Sequence, residues 1–185
     1  MGSSSARCQR TRSTLSPSPV HPIIACSPCV LCAAYAVSSL TSPQPFCQAI
    51  LLALDILETR HAPGVVITTS GISKFYSNGL DLEHASFTPG FFPESLYALW
   101  RRVLTYPMPT IALLNGHAFA GALMLAMMHD YRIMNPHKGY LCLNEVELGV
   151  PLRPPMSGVF RQKVSHQTYR RLVLEAYRFK VRLTY

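Results

Sequence analysis

Strands alternating with helices along one 185-residue chain predict an α/β domain. Three observations carry that expectation. Two short apolar runs, 65–70 and 110–116, read as buried strands. Segments of helical periodicity lie before, between and after them, and Pro or Gly stands at several of the junctions. With 49% hydrophobic residues, the length allows one domain with a substantial core.

The elements follow in order. AILLALDILETRH (49–61) has apolar residues at helical spacing and ends in Arg and His, which suit the negative end of a helix dipole. Pro63-Gly64 breaks it, and VVITTS (65–70) follows as a strand. GISKFYSNGLDL is then a Gly-bracketed loop, and FPESLYALWRRVLTY (92–106) a helix with Pro93 and Glu94 in its first turn. Pro107 and Pro109 end that helix before the strand TIALLNG (110–116). HAFAGALMLAMMHDYRI leads through small residues into a helix apolar on every side, which must therefore be buried. YRIM and YLCL are short strand candidates. Pro154-Pro155 opens a helix over FRQKV, and QTYRRLVLEAYRF is a final amphipathic one.

Charge and cysteine content narrow the function classes. The formal charge is +8, but from Arg153 to Tyr185 eight Lys or Arg face a single acid, Glu175, so much of the excess sits on one tail. Without interleaved Gly and aromatic residues, that tail reads as a solvated helix face rather than a nucleic-acid surface. Residues 1–54 hold no Asp or Glu but contain Arg7, Arg10 and Arg12, many Ser and Pro, and five of the six cysteines. Residues 1–45 are accordingly read as an unmatched leader, transit-like or a stray extension, preceding a domain over 46–185. IIACSPCVLCAAYAVSS is too short and broken for a membrane span. Cys26, Cys29 and Cys32 lack a fourth ligand at matched spacing, so no metal site is expected.

The chemistry concentrates in LCLNEVELGV (141–150), where Glu145 and Glu147 stand two apart in an apolar run. If extended, the segment points both acids to one face. Spacing alone leaves open whether that face is solvated or a site. SNGLD (77–81) and NGHAFAGAL (115–123) each place Gly or small residues where an apolar strand ends. Turns of that kind can expose backbone N–H groups, and two converging N–H donors form an oxyanion hole.

KFYSNGLDL, IALLNGHAFAGALMLAMMHDYRI and LCLNEVELGVPL, in this order and spacing, resemble the crotonase (enoyl-CoA hydratase/isomerase) superfamily. Within it they look most like the plant and fungal Δ3,Δ2-enoyl-CoA isomerases, over roughly Phe46 to Lys180. The resemblance implies a crotonase-like (ClpP/crotonase) ββα spiral core and an acyl-CoA thioester as substrate, with no further cofactor and no metal. It places the oxyanion donors on the N–H groups of Leu80 and Gly121, and the catalytic base on Glu145. Asn78 and Gly79 fall in the first oxyanion loop, and Lys74 and Phe75 lie where the family's CoA runs. Asp81 and Asp130 match positions that are usually structural. Hydratases carry a second glutamate where this chain has Met124, so the resemblance favours isomerisation over hydration. Enoyl-CoA hydratase and an inactive acyl-CoA-binding remnant stand as alternatives.

In that mechanism Glu145 takes a proton from C2 and returns it at C4, with the enolate held by the two N–H groups, each contributing ~3 kcal/mol. Apolar neighbours (Leu141, Leu143, Val146, Leu148) are expected to raise the pKa of Glu145. Against the family pattern, residues 1–45 show nothing like the paired strands that precede the first helix. The chain also stops before the helices that cover the acyl pocket and build the family trimer. The core is therefore expected to be incomplete at both ends, and the trimer doubtful. The family implies the peroxisome, although no S-K-L signal ends the chain; the acid-free leader points instead to the mitochondrion.

Overall fold

The computed structural model describes residues 22–27, 30–35 and 43–180, with side chains from residue 45. Two sheets and a helical layer compose it. The first sheet has the order β1-β2-β3-β5-β7, and the second β4-β6-β8. β1 (Pro22–Ser27) and β2 (Val30–Tyr35) form an antiparallel pair, and β2 runs parallel to β3 (Val66–Ser70). Paired strands thus precede the first helix, contrary to the expectation that residues 1–45 hold none. The misreading has a physical cause: IIACS and VLCAAY are short apolar runs in a Ser- and Pro-rich setting, and periodicity cannot separate such a strand from a leader core. The leader's residues 1–21 and the side chains of Cys26, Cys29 and Cys32 lie outside the described residues.

α1 spans Pro43–Arg60, six residues earlier than its periodic core suggests, because its first turn carries prolines that a helix start tolerates. β5 (Thr110–Leu114) pairs in parallel with β3 and with β7 (Tyr131–Met134). The second, wholly parallel sheet is built from β4 (Phe75–Ser77), β6 (His117–Phe119) and β8 (Leu141–Cys142). Strands this short give too little alternation to be read from sequence, and β4 and β6 were expected as loop and helix approach. The sheet closes tightly at Gly116, where a Cβ would sit 2.2 Å from the Lys74 carbonyl oxygen.

The helix expected over 92–106 is a π-helical turn, Phe91–Leu96, running into α3 (Tyr97–Leu104). It follows a short α2 (Leu82–Phe87), which begins at the last residue of the segment expected to be loop; Asp81 caps that helix by accepting from the His84 N–H at 3.0 Å. α4 (Gly121–Met128) is buried on nearly every side, as its all-round apolarity requires. α5 (Glu145–Leu148), α6 (Pro154–Lys163) and α7 (His166–Glu175) complete the layer. One continuous core joins Leu54 and Leu57 of α1, Leu99 and Trp100 of α3, Met124 of α4 and Phe160 of α6. No helix among the described residues is long and apolar enough to cross a membrane.

Candidate active site

A cavity of about 540 Å³ opens where the loop after β4, the start of α4, and α5 converge. Asn78, Leu80, Gly121 and Glu145, more than forty residues apart at the extremes, all line it. The first loop can approach the second because residue 79 is glycine. Its φ is +100°, which L side chains rarely adopt, and a Cβ there would lie 3.1 Å from the Gly121 nitrogen and 3.0 Å from the Ala120 Cβ. Leu80 in turn packs over Gly121, where a Cβ would meet the Leu80 Cγ at 3.0 Å.

Gly121 is the first residue of α4, so its N–H is one of the donors that a helix N-terminus leaves without an intrahelical acceptor. The residue before it, Ala120, is held at φ 50°, in a region non-glycine residues seldom occupy. Its own N–H is tied to the Cys142 carbonyl at 2.9 Å, and its carbonyl accepts from Met124 at 3.1 Å. The strained residue is thus pinned on both sides, which fixes where the next N–H points.

Glu145 is 7% exposed, and its Oε2 is buried without a hydrogen-bond partner. Burial pushes its pKa up, opposed by a hydrogen bond from its own backbone N–H. The direction and its cause, burial, match expectation, but only part of the expected set is itself buried. Val146 and Leu148 are exposed, whereas Leu143, just past β8, is buried. Met124 of α4, distant in sequence, lines the same cavity as Glu145. Among the described residues Glu145 is the sole carboxylate on the cavity. Met124 lines it too, 2% exposed, and brings no titratable group.

The two acids of LCLNEVELGV do not share a face. Residues 145–148 form a helical turn, and two steps at ~100° each turn Glu147 away from Glu145. The Glu147 side chain is 51% exposed and lies 4.0 Å from Arg178. The αL cap Gly149, at φ 68°, ends the turn after four residues. That brevity is why periodicity does not reveal it.

The remaining candidates separate. Asn78 faces the cavity, while Gly79 supports it from the other side of the loop, beside a smaller cavity. Lys74 and Phe75 do not line it. The Lys74 carbonyl accepts from the His117 N–H at 2.9 Å, and its ammonium lies 5.2 Å over the Phe75 ring. His117 stacks on Tyr140 at 5.3 Å, also away from the cavity. Asp130 accepts from the Thr110 N–H and hydroxyl at 2.8 Å each, a structural role. Asn144 and Arg153 line the cavity and were not singled out from sequence. Asn144 had a signal, its place beside Glu145 in the motif; Arg153, held over Phe92 at 3.9 Å, had none.

A two-sheet core, parallel except for the β1–β2 pair, with a buried carboxylate and two glycine-containing loops on one cavity, is that of a crotonase-fold protein. An enoyl-CoA isomerase structure from Mycobacterium tuberculosis superposes with a TM-score of 0.75 at 21% identity, covering 88% of this chain and 70% of that one. An enoyl-CoA hydratase structure from Mycobacterium marinum gives 0.77 at 21% identity, covering 88% and 71%. The family model described as enoyl-CoA hydratase/isomerase matches residues 43–182, and the chain belongs to that family. Similar curated relatives are enoyl-CoA delta isomerase 3 of Arabidopsis thaliana, 35% identical over 133 residues, and the peroxisomal enoyl-CoA delta isomerase 2 of the same plant, 36% identical over 135. Either alignment covers 68% of this chain and 56% of the relative, so the chain spans little more than half the length of the relatives it matches. A mitochondrial enoyl-CoA delta isomerase 1 of Mus musculus is 35% identical over 104 residues, covering 54% of this chain and 36% of the relative.

Proposed function

We propose that the chain carries the active site of a Δ3,Δ2-enoyl-CoA isomerase, which moves a 3-enoyl-CoA double bond into conjugation with the thioester. The observation that carries the reading is Glu145: a buried carboxylate with one oxygen unpartnered, on the same cavity as the Leu80 and Gly121 loops. A thioester oxygen between those two N–H groups would have its enolate form stabilised, lowering the barrier to proton loss at C2. Glu145, its affinity for protons raised by burial, would accept that proton and deliver it to C4. One base suffices, since the same carboxyl serves both transfers.

Hydration requires a second group to hold and activate water. Met124 stands on the cavity without one, which favours the isomerase over a hydratase. A remnant that binds acyl-CoA without turnover differs from both in a single assay. Conversion of a 3-enoyl-CoA is followed by the absorbance of the conjugated 2-enoyl-CoA, wild type against Glu145→Gln. Equal rates would sink the assignment of the base, and CoA-ester binding without conversion by the wild type would favour the remnant. The names of the plant relatives favour a peroxisomal setting for such a reaction, and those of the mammalian ones a mitochondrial setting.

A further inference from the structure

Behind the wall that carries Leu80 and Gly121 lies a smaller cavity of about 60 Å³, and three polar side chains meet on it: Thr68, Tyr76 and His129. They come from β3, β4 and the end of α4. Their proton order follows from the acceptors. His129 Nδ1 is 3.0 Å from the Leu125 carbonyl oxygen, which can only accept, so Nδ1 bears the hydrogen. In the neutral ring Nε2 is then the acceptor, and the Thr68 hydroxyl donates to it at 3.0 Å. With its proton so committed, Thr68 accepts from the Tyr76 hydroxyl at 2.9 Å. His129 is 1% exposed, and burial pushes its pKa down to about 4, in keeping with a neutral ring.

We propose that this Tyr76–Thr68–His129 chain is the positioning element of the oxyanion site, fixing from behind the two segments whose N–H groups face the substrate. The proposal rests on the site reading above. Tyr76 stands in the strand that runs directly into the Leu80 loop, where the Ser77 hydroxyl also accepts from the Gly79 N–H at 3.2 Å. His129 closes the helix that Gly121 opens. Because a void lies against both segments, packing alone does not immobilise them; two directional bonds to Thr68 of β3 do, with His129 also tied to the Leu125 carbonyl of its own helix. These residues contact no reacting atom, so their effect must appear as misaimed N–H donors rather than as lost chemistry.

The variants are Thr68→Val, which removes the central hydroxyl at nearly constant shape, and Thr68→Ser, which restores it. Thr68→Val is expected to lower kcat by about tenfold or more, while KM stays within about twofold. Thr68→Ser should recover most of that loss. A second readout does not require turnover. A conjugated 2,4-dienoyl-CoA bound to the wild type should show a red-shifted absorbance from polarisation of its carbonyl, kept in Glu145→Gln and diminished in Thr68→Val. A red shift without isomerisation would remove the isomerase reading and leave the positioning test intact. Thr68→Val with unchanged kcat and unchanged shift, even with lowered thermal stability, would overturn the proposal and leave a packing role. Failure of Thr68→Ser to recover either readout would overturn it as well, as would a wild type that shifts no CoA thioester.

Discussion

Two carboxylates, one at each end of the buried helix α4, have opposite fates. Asp130 lies just past its C-terminal end and is well partnered: the Thr110 N–H and hydroxyl both donate to its Oδ2, and its pKa is lowered despite the opposing effect of burial. Glu145 lies across the cavity from its N-terminal end with one oxygen unpartnered, and burial raises its pKa. A carboxylate that accepts such bonds ties a strand to the end of a helix. One denied its bonds is free to take a proton, and its desolvation disfavours the charge it must carry. The two differ in burial as well, Asp130 being exposed and Glu145 buried.

The comparison can be broken in several places. The largest effect is expected at Glu145→Gln, which should reduce isomerisation by about a hundredfold to ten-thousandfold while leaving the fold intact. Steady-state rates and a melting curve on the same sample check it; a large loss of both would make Glu145 structural. Gly79→Ala comes next. It forces a side chain into φ +100° and against the Gly121 nitrogen, so a loss of about 1 kcal/mol or more in stability and a fall in kcat should appear together in denaturant titration and rate assays. Asp130→Ala should do the reverse of Glu145→Gln, lowering stability by ~1–2 kcal/mol with kcat per folded molecule preserved.

Titration separates the same pair by sign. Glu145 has a folded pKa above its ordinary 4.5, so the stability tied to its neutral form is present below pH 4.5 and lost as pH rises through the folded value. Glu145→Gln should therefore gain on the wild type in unfolding midpoint above that pH. Its activity runs the other way, rising with pH as the base ionises. Asp130 has a folded pKa below its ordinary 3.8, so its contribution is present above that pH and lost as pH falls through the folded value. The smallest effect is expected at Glu147→Gln, exposed and 4.0 Å from Arg178, where stability should change by less than about 0.5 kcal/mol and kcat not at all. A large activity loss there would mean the wrong acid had been chosen.

Much of this was legible in the sequence. The burial of α4 followed from its all-round apolarity, and the strands β3 and β5 from short apolar runs between breakers. Gly79 and Gly121, small residues at strand ends, marked the two loops that meet. The strands β4 and β6 and the turn α5 were not legible, because three or four residues cannot display a period. The pair β1–β2 was missed because its composition imitates a leader.

By itself the sequence determined which residue types stand ready: two acids in an apolar run, two glycine loops, and methionine at 124, where the family resemblance implies that a hydratase carries a glutamate. The family resemblance put the base on Glu145; only the tertiary structure decided that the two acids stand in different surroundings. A four-residue turn rotates them apart; one is buried on a cavity that residues distant in sequence help to wall, and the other is left in water. Burial is a property of what surrounds a side chain in space, and the cavity that Glu145 lines is walled in part by Leu80, Gly121 and Met124, all distant from it in the chain.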